Sequence, residues 1–198
     1  MAAEPPSPGS AAAAGAPSSV SAAAAWLPSP VSVAAAGAPS PVSAAAAAAK
    51  IAGGPRVALC VSRFYEQLAE RLVAGARGAL SEAGAVEVRE LSVPGAFELP
   101  LAAQYAARSG LFDAVVCLGA VIRGETDHYE HVCAGTTQGI MRVALDTGVP
   151  CGFGVLTVDT LEQALERVSG GSRRDTGRHA AQAVLAQLAI RDALRAAT

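Results

Sequence analysis

The densest run of chemically capable side chains in the sequence is Arg123-Gly124-Glu125-Thr126-Asp127-His128. Gly124 lets the backbone approach a ligand, Thr126 brings a hydroxyl, and a helix beginning near Asp127 turns free N–H groups toward the same place. Together these suit an anion such as a phosphate monoester. Asp127 and Glu130 also stand at capping-box spacing, so stabilisation of a helix start would by itself account for the pair. On the residues alone both accounts stay open. His128 is a candidate general acid or base because imidazole titrates near neutral pH, with a structural histidine as the alternative and His131 as its rival. Arg167 can neutralise a bound anion or simply close a helix in the direction its dipole favours. Phe64, Phe97 and Phe153 offer flat faces to a heterocycle, core packing being the other use for each. Pro94-Gly95 makes a tight turn. The sequence has no G-x-G-x-x-G or Walker pattern, so a nucleotide cofactor held in the usual way is not expected.

These residues need elements to hold them. Arg56 to Ser62 is a Val-rich apolar run, followed by a helical stripe of Leu68, Leu72, Val73, Ala76 and Leu80 within Tyr65 to Ala83. The pattern predicts a strand and then a helix. Val86 to Val93 alternates as a second strand, and a helix runs from about Phe97 to Ser109. Asp113 to Ile122 is apolar on both faces, as a covered central strand should be. His128 to Asp146 reads as a third helix and Cys151 to Thr157 as a fourth strand. A short stripe of Leu161, Ala164, Leu165 and Val168 follows, then a Gly/Ser/Arg loop over Ser169 to Gly177, then a last helix carrying Val184, Leu185 and Leu188. Such alternation predicts an α/β fold, a parallel four-stranded sheet with helices on both faces. Its ligand crevice lies outside the carboxyl ends of the strands, where the loops above fall.

The whole chain has 198 residues and a net charge of −2, too balanced for a polyanion-binding surface. Eight of the 12 prolines lie at or before Pro41, and before Pro55 only Glu4 and Lys50 are charged. Residues 1–54, rich in Ala, Ser, Pro and Gly, are therefore expected to be a disordered extension, and residues 55–198 a single domain. A plastid-type transit peptide competes for the extension, although no Arg precedes Arg56. The Ala44 to Ala49 run is too short to cross a membrane. Cys60, Cys117, Cys133 and Cys151 form no C-x-x-C pair, so neither a metal site nor a disulfide framework is expected, and a reducing cytoplasm is the default compartment.

Four motifs carry a resemblance: VPGAFELP (Val93 to Pro100), GAVIRGETDHYEHV (Gly119 to Val132), GVPCGFGVLT (Gly148 to Thr157) and LEQALER (Leu161 to Arg167). In this order the sequence from about Arg56 onward resembles the lumazine synthase (6,7-dimethyl-8-ribityllumazine synthase) family. The resemblance implies a flavodoxin-like three-layer α/β/α sandwich. It also implies a transferase that condenses 5-amino-6-(D-ribitylamino)uracil with 3,4-dihydroxy-2-butanone 4-phosphate in riboflavin biosynthesis, without a cofactor. By the family pattern Phe64 stacks on the pyrimidine, Ala96, Phe97 and Glu98 contact the ribityl chain and ring, and Gly119, Ala120, Val121 and Ile122 line the ring pocket with Phe153. Glu125, Thr126 and Arg167 hold the phosphate, and His128 transfers protons. The family further implies a homo-oligomer built from pentamers, with sites between subunits and no nucleic-acid or membrane partner.

One region departs from the pattern. Where the family carries a lysine just before the last helix, this sequence places Thr176 within SGGSRRDTGRH, and the domain has 14 arginines and no lysine. Arg173 or Arg174 is expected to supply the missing charge, though arginine is not a simple exchange for lysine. The departure also raises a second possibility, a weakly active paralogue that binds flavin-like ligands or builds a shell.

Overall fold

The structure is a computed structural model that describes residues 53–197. The extension expected over residues 1–54 lies, up to residue 52, outside the described residues. Four strands, β1 (Arg56–Ser62), β2 (Glu87–Val93), β3 (Ala114–Ile122) and β4 (Cys151–Val158), form one parallel sheet in the order β2-β1-β3-β4. That is the order of flavodoxin-like doubly wound sheets. The two central strands are those with unbroken apolar runs; Ala114 to Ala120 is buried throughout, while the edge strand β2 keeps Glu87, Arg89 and Glu90 along its length.

The connecting helices are α1 (Glu66–Glu82), α2 (Leu99–Arg108), α3 (His128–Thr147), the short α4 (Leu161–Leu165) and α5 (Thr176–Ala196). Right-handed crossovers sort them onto two faces. Leu68, Leu72, Ala76 and Leu80 of α1 and Ala180, Ala181, Val184 and Leu188 of α5 bury against Val57, Leu59, Val61, Val116 and Leu118 of the sheet. On the other face Leu99, Ala103, Ala106, Ile140 and Val143 of α2 and α3 meet Ala58, Cys60, Val115, Cys117 and Val155.

The first face closes by backbone contact. A methyl group on Gly177 would lie 2.1 Å from the carbonyl oxygen of Leu72, so α5 meets the α1 main chain there, and one on Gly75 would overlap the Asp175 carboxylate that caps α5. Gly152 plays the same part between β4 and Ala180 of α5. Two boundaries differ from the sequence expectation. The residues Ala96–Glu98 form a single 3-10 turn, and α2 begins only at Leu99, with Pro100 in its first turn where no N–H is needed. The last helix begins at Thr176, because the Asp175 side chain accepts the Arg178 N–H at 3.0 Å and caps it. Thr176 and Gly177 therefore belong to the first turn of α5 rather than to the loop.

Candidate active site

A cleft of about 630 Å³ opens at the carboxyl ends of β1 and β3. One wall consists of Phe64 and Tyr65 after β1 with Gly95 to Glu98 after β2. The other consists of Gly124, Thr126, His128, Tyr129, His131 and Val132, with Ala120, Val121 and Ile122 as the floor. The first wall is apolar and flat. Phe64 is 71% exposed and braced edge-on by Tyr65 at 4.9 Å, leaving its ring open to stack. Phe97 is 61% exposed and rests on α3, where a methyl on Gly135 would come within 2.9 Å of its ring. Behind it the buried Thr136 hydroxyl donates to the Ala96 carbonyl at 3.1 Å, fixing the 3-10 turn to α3. The Glu98 carboxylate folds back over Gly95, a position that a Cβ there would crowd at 2.9 Å.

The second wall is polar and organised by charge. Asp127 occupies the N-cap of α3 but its side chain accepts no capping hydrogen bond. The capping box does not form because Glu130 is engaged elsewhere: its Oε1 accepts from Arg123 Nη1 at 2.6 Å. Arg123 Nε donates to Asp159 Oδ1 at 2.9 Å, and its guanidinium lies 4.2 Å from the centre of the Tyr129 ring. The hydrogen bonds it donates to Glu130 and then to Asp159 raise the Arg123 pKa further, so the group is a permanent cation. Burial, reinforced by the Cys133 thiol, moves the Tyr129 hydroxyl above its ordinary value, so it stays neutral. Arg123 heads the dense run of the sequence but is given no role there, and Tyr129 is not singled out. Tyr129 carried no signal beyond its place beside His128, and Arg123 found its Asp159 partner 36 residues away.

Of the residues expected to form the site, the cleft brings together Phe64, Ala96, Phe97, Glu98, Ala120, Val121, Ile122, Thr126 and His128, with the rival His131 beside them. Gly119 sits below the floor; a methyl there would meet Ser62 Cβ at 3.0 Å and Leu99 at 3.4 Å, so it serves the close packing of α2 on β3. Glu125 is exposed on the loop but does not line the cleft. Phe153 lies early on β4, paired with Cys117 rather than at the carboxyl end, and is 40% exposed at the sheet edge. Arg167 follows α4 outside the cleft, with Nη1 donating to the Gln163 carbonyl at 2.8 Å and pairing with Glu166 at 3.3 Å. Arg173 also pairs with Glu166, at 2.8 Å, while Arg174 is exposed and makes no ion pair among the described residues.

Fold and cleft define a doubly wound α/β domain with a small-molecule site outside the carboxyl ends of its strands, one wall shaped for a flat ring and one for a polar group. The family model described as 6,7-dimethyl-8-ribityllumazine synthase matches residues 54–192. A protein of that name from Kineococcus radiotolerans is 54% identical over 143 residues, covering 72% of this chain and 86% of its own length. Those from Salinibacter ruber and Streptomyces avermitilis are 49% and 50% identical over 137 and 138 residues, spanning 68% and 69% of this chain and 87% and 85% of their own. The chain belongs to the 6,7-dimethyl-8-ribityllumazine synthase family. Among the described residues no helix is long and apolar enough to cross a membrane.

Proposed function

We propose that residues 55–198 form an enzyme that condenses 5-amino-6-(D-ribitylamino)uracil with 3,4-dihydroxy-2-butanone 4-phosphate, releasing phosphate and water and yielding 6,7-dimethyl-8-ribityllumazine. The observation that carries the proposal is the pairing, in one cleft, of an open aromatic wall with Thr126 and His128. Phe64 stacks on the pyrimidine, Ala96, Phe97 and Glu98 contact the ribityl chain and ring, and Ala120 to Ile122 form the floor over Gly119. Thr126 and Glu125 stand by the phosphate. Imine formation, phosphate elimination and ring closure each move protons while leaving little charge behind, work suited to His128 at the rim. Holding two substrates in contact supplies much of the rate, and no cofactor is required.

Phe153 and Arg167 complete the site from a neighbouring copy of the chain, the first closing the ring pocket and the second the phosphate end. Their position outside the single-chain cleft supports this, as do the exposed Leu101, Tyr105, Met141 and Leu145 on the outer side of α2 and α3. The assembly is built from pentamers. Arg174, unpaired at the edge of the α5 start, takes the place of the family lysine at which Thr176 stands. Four unpaired cysteines fit a reducing cytoplasm.

Mixing purified full-length protein with the two substrates and following lumazine fluorescence tests the reading. Product at a rate far above the uncatalysed condensation is expected; a folded, assembled protein that leaves that rate unchanged would overturn it.

A further inference from the structure

We infer that Arg123 is a positioning residue for the polar wall: its side chain closes the Gly124–Asp127 loop into a ring and thereby sets Thr126, His128 and Tyr129 for the reaction. This rests on the proposed activity only in naming which substrate feels the loop.

Three elements converge on one guanidinium. Arg123 leaves β3 with its main-chain N–H bonded to the Val158 carbonyl at 2.9 Å, which fixes the near end of the loop to the sheet. Its side chain then reaches forward to Glu130 in the first turn of α3 at 2.6 Å and sideways to Asp159 beyond β4 at 2.9 Å. The ion pair with Glu130 spans seven residues and ties the far end of the loop to the near end. The Tyr129 ring, a cleft residue, is pinned beneath the same group at 4.2 Å. Gly124, Thr126 and His128 lie between or beside the two anchored ends and face the cleft.

The clamp replaces the usual device. An N-cap carboxylate would normally order such a loop, but Asp127 makes no capping bond here. With the single charge of Arg123 shared between Glu130 and Asp159, the guanidinium is not spare for phosphate. Its function is to restrict the loop, reducing the entropy that substrate binding would otherwise have to remove. All three charged partners are substantially exposed, so the restraint is a network of modest pairs rather than one strong bond.

Hydrogen exchange and kinetics on the full chain test the inference. In Arg123→Gln the amides of Gly124 to His128 should exchange about tenfold faster with the rest of the sheet unchanged, and kcat should fall about tenfold. KM for the phosphorylated substrate should rise several-fold while affinity for a ribityl-ring ligand stays within about twofold. Because Arg123→Gln also leaves two carboxylates unanswered, the triple variant Arg123→Gln/Glu130→Gln/Asp159→Asn removes those charges as well and leaves the loop without the clamp. It should remain as impaired as the single variant. Unchanged exchange in Arg123→Gln overturns the inference, and so does recovery in the triple variant, which would assign the effect to charge. If the wild-type protein made no lumazine, the proposed function would fail while the exchange measurement still decided the role of Arg123.

Discussion

On the α1/α5 face of the sheet, helices meet each other and β4 through glycines, backbone against backbone, and the large apolar side chains of α1 are all inside. On the α2/α3 face the close glycine approaches are to side chains, an added methyl meeting Pro100 at 2.7 Å from Gly139 and Phe97 at 2.9 Å from Gly135, and Leu101, Tyr105, Met141 and Leu145 stay in solvent. The first face leaves Ile190 and Leu194, near the end of α5, exposed as well. The second carries the polar wall and the Gly95 to Glu98 part of the aromatic wall, while Phe64 and Tyr65 enter from the start of α1. The difference teaches where sequence change is tolerated: at Gly177 and Gly152 an added methyl meets main chain, and at Gly135 it meets the edge of an exposed ring.

The largest effect expected from this contrast follows Gly177→Ala. Its new methyl would stand 2.1 Å from the Leu72 carbonyl oxygen, so α1 and α5 must part, at a cost of about 3 kcal/mol. Denaturant unfolding should show the loss. Gly135→Ala on the other face meets only the edge of the exposed Phe97 ring, and should leave stability within about 0.5 kcal/mol while weakening ring-ligand binding. Equal losses in the two variants would dissolve the contrast.

Next in size is His128→Ala, expected to lower kcat by about a hundredfold or more while ligand titration shows binding retained. Phe153→Ala should also be slow. Co-refolding the two inactive variants distinguishes a site within one chain from one between chains. If sites form between copies, about a quarter of those in random mixed assemblies carry both native residues, and activity returns. No recovery would mean that both residues act within one chain, and full activity in Phe153→Ala alone would place Phe153 outside the site.

A smaller effect should follow Met141→Glu/Leu145→Glu. These side chains are 59% and 76% exposed, so the single-chain fold should keep its stability. Light scattering should nevertheless show a smaller particle if this surface lies between copies, because an unpaired charge buried in an interface is strongly disfavoured. An unchanged particle mass would move the interface elsewhere.

Much of this was legible in the sequence for a physical reason. Periodicity is local, so β1, α1, β3 and α3 could be read within two residues or so of their ends, and the cleft loops followed from the doubly wound topology. What escaped was decided by partners distant in sequence. The capping spacing of Asp127 and Glu130 was real, but Arg123 took Glu130, and Arg123 was held in turn by Asp159. Thr176 looked like loop until Asp175 capped a helix ahead of it. Phe153 and Arg167 carried strong motif signals, and neither lines the cleft of the single chain, because a motif does not record where in the fold its residues are held.

The smallest effect concerns the thiols under the α2/α3 face. Cys60 and Cys117 are paired across β1 and β3, and Cys151 lies on β4, facing the same helices. The Cys117 thiol is raised well above its ordinary value by its hydrogen bond with Cys60 and by burial. Burial, with a further contribution from Cys60, pushes Cys151 up to about 12. A thiol raised on folding binds its proton more tightly in the native state than in the unfolded one. Its contribution is therefore complete below the unfolded value near 9 and is lost as pH climbs toward 12. Cys151 alone should lower stability by about 1 kcal/mol between pH 8 and pH 10, and Cys151→Ala should flatten that part of the profile. Half-buried Cys151 should also resist thiol reagents at pH 8 unless the face opens. Rapid labelling there, with the α1/α5 face still protected from hydrogen exchange, would show that the site-bearing face opens independently and would sharpen the contrast between the two.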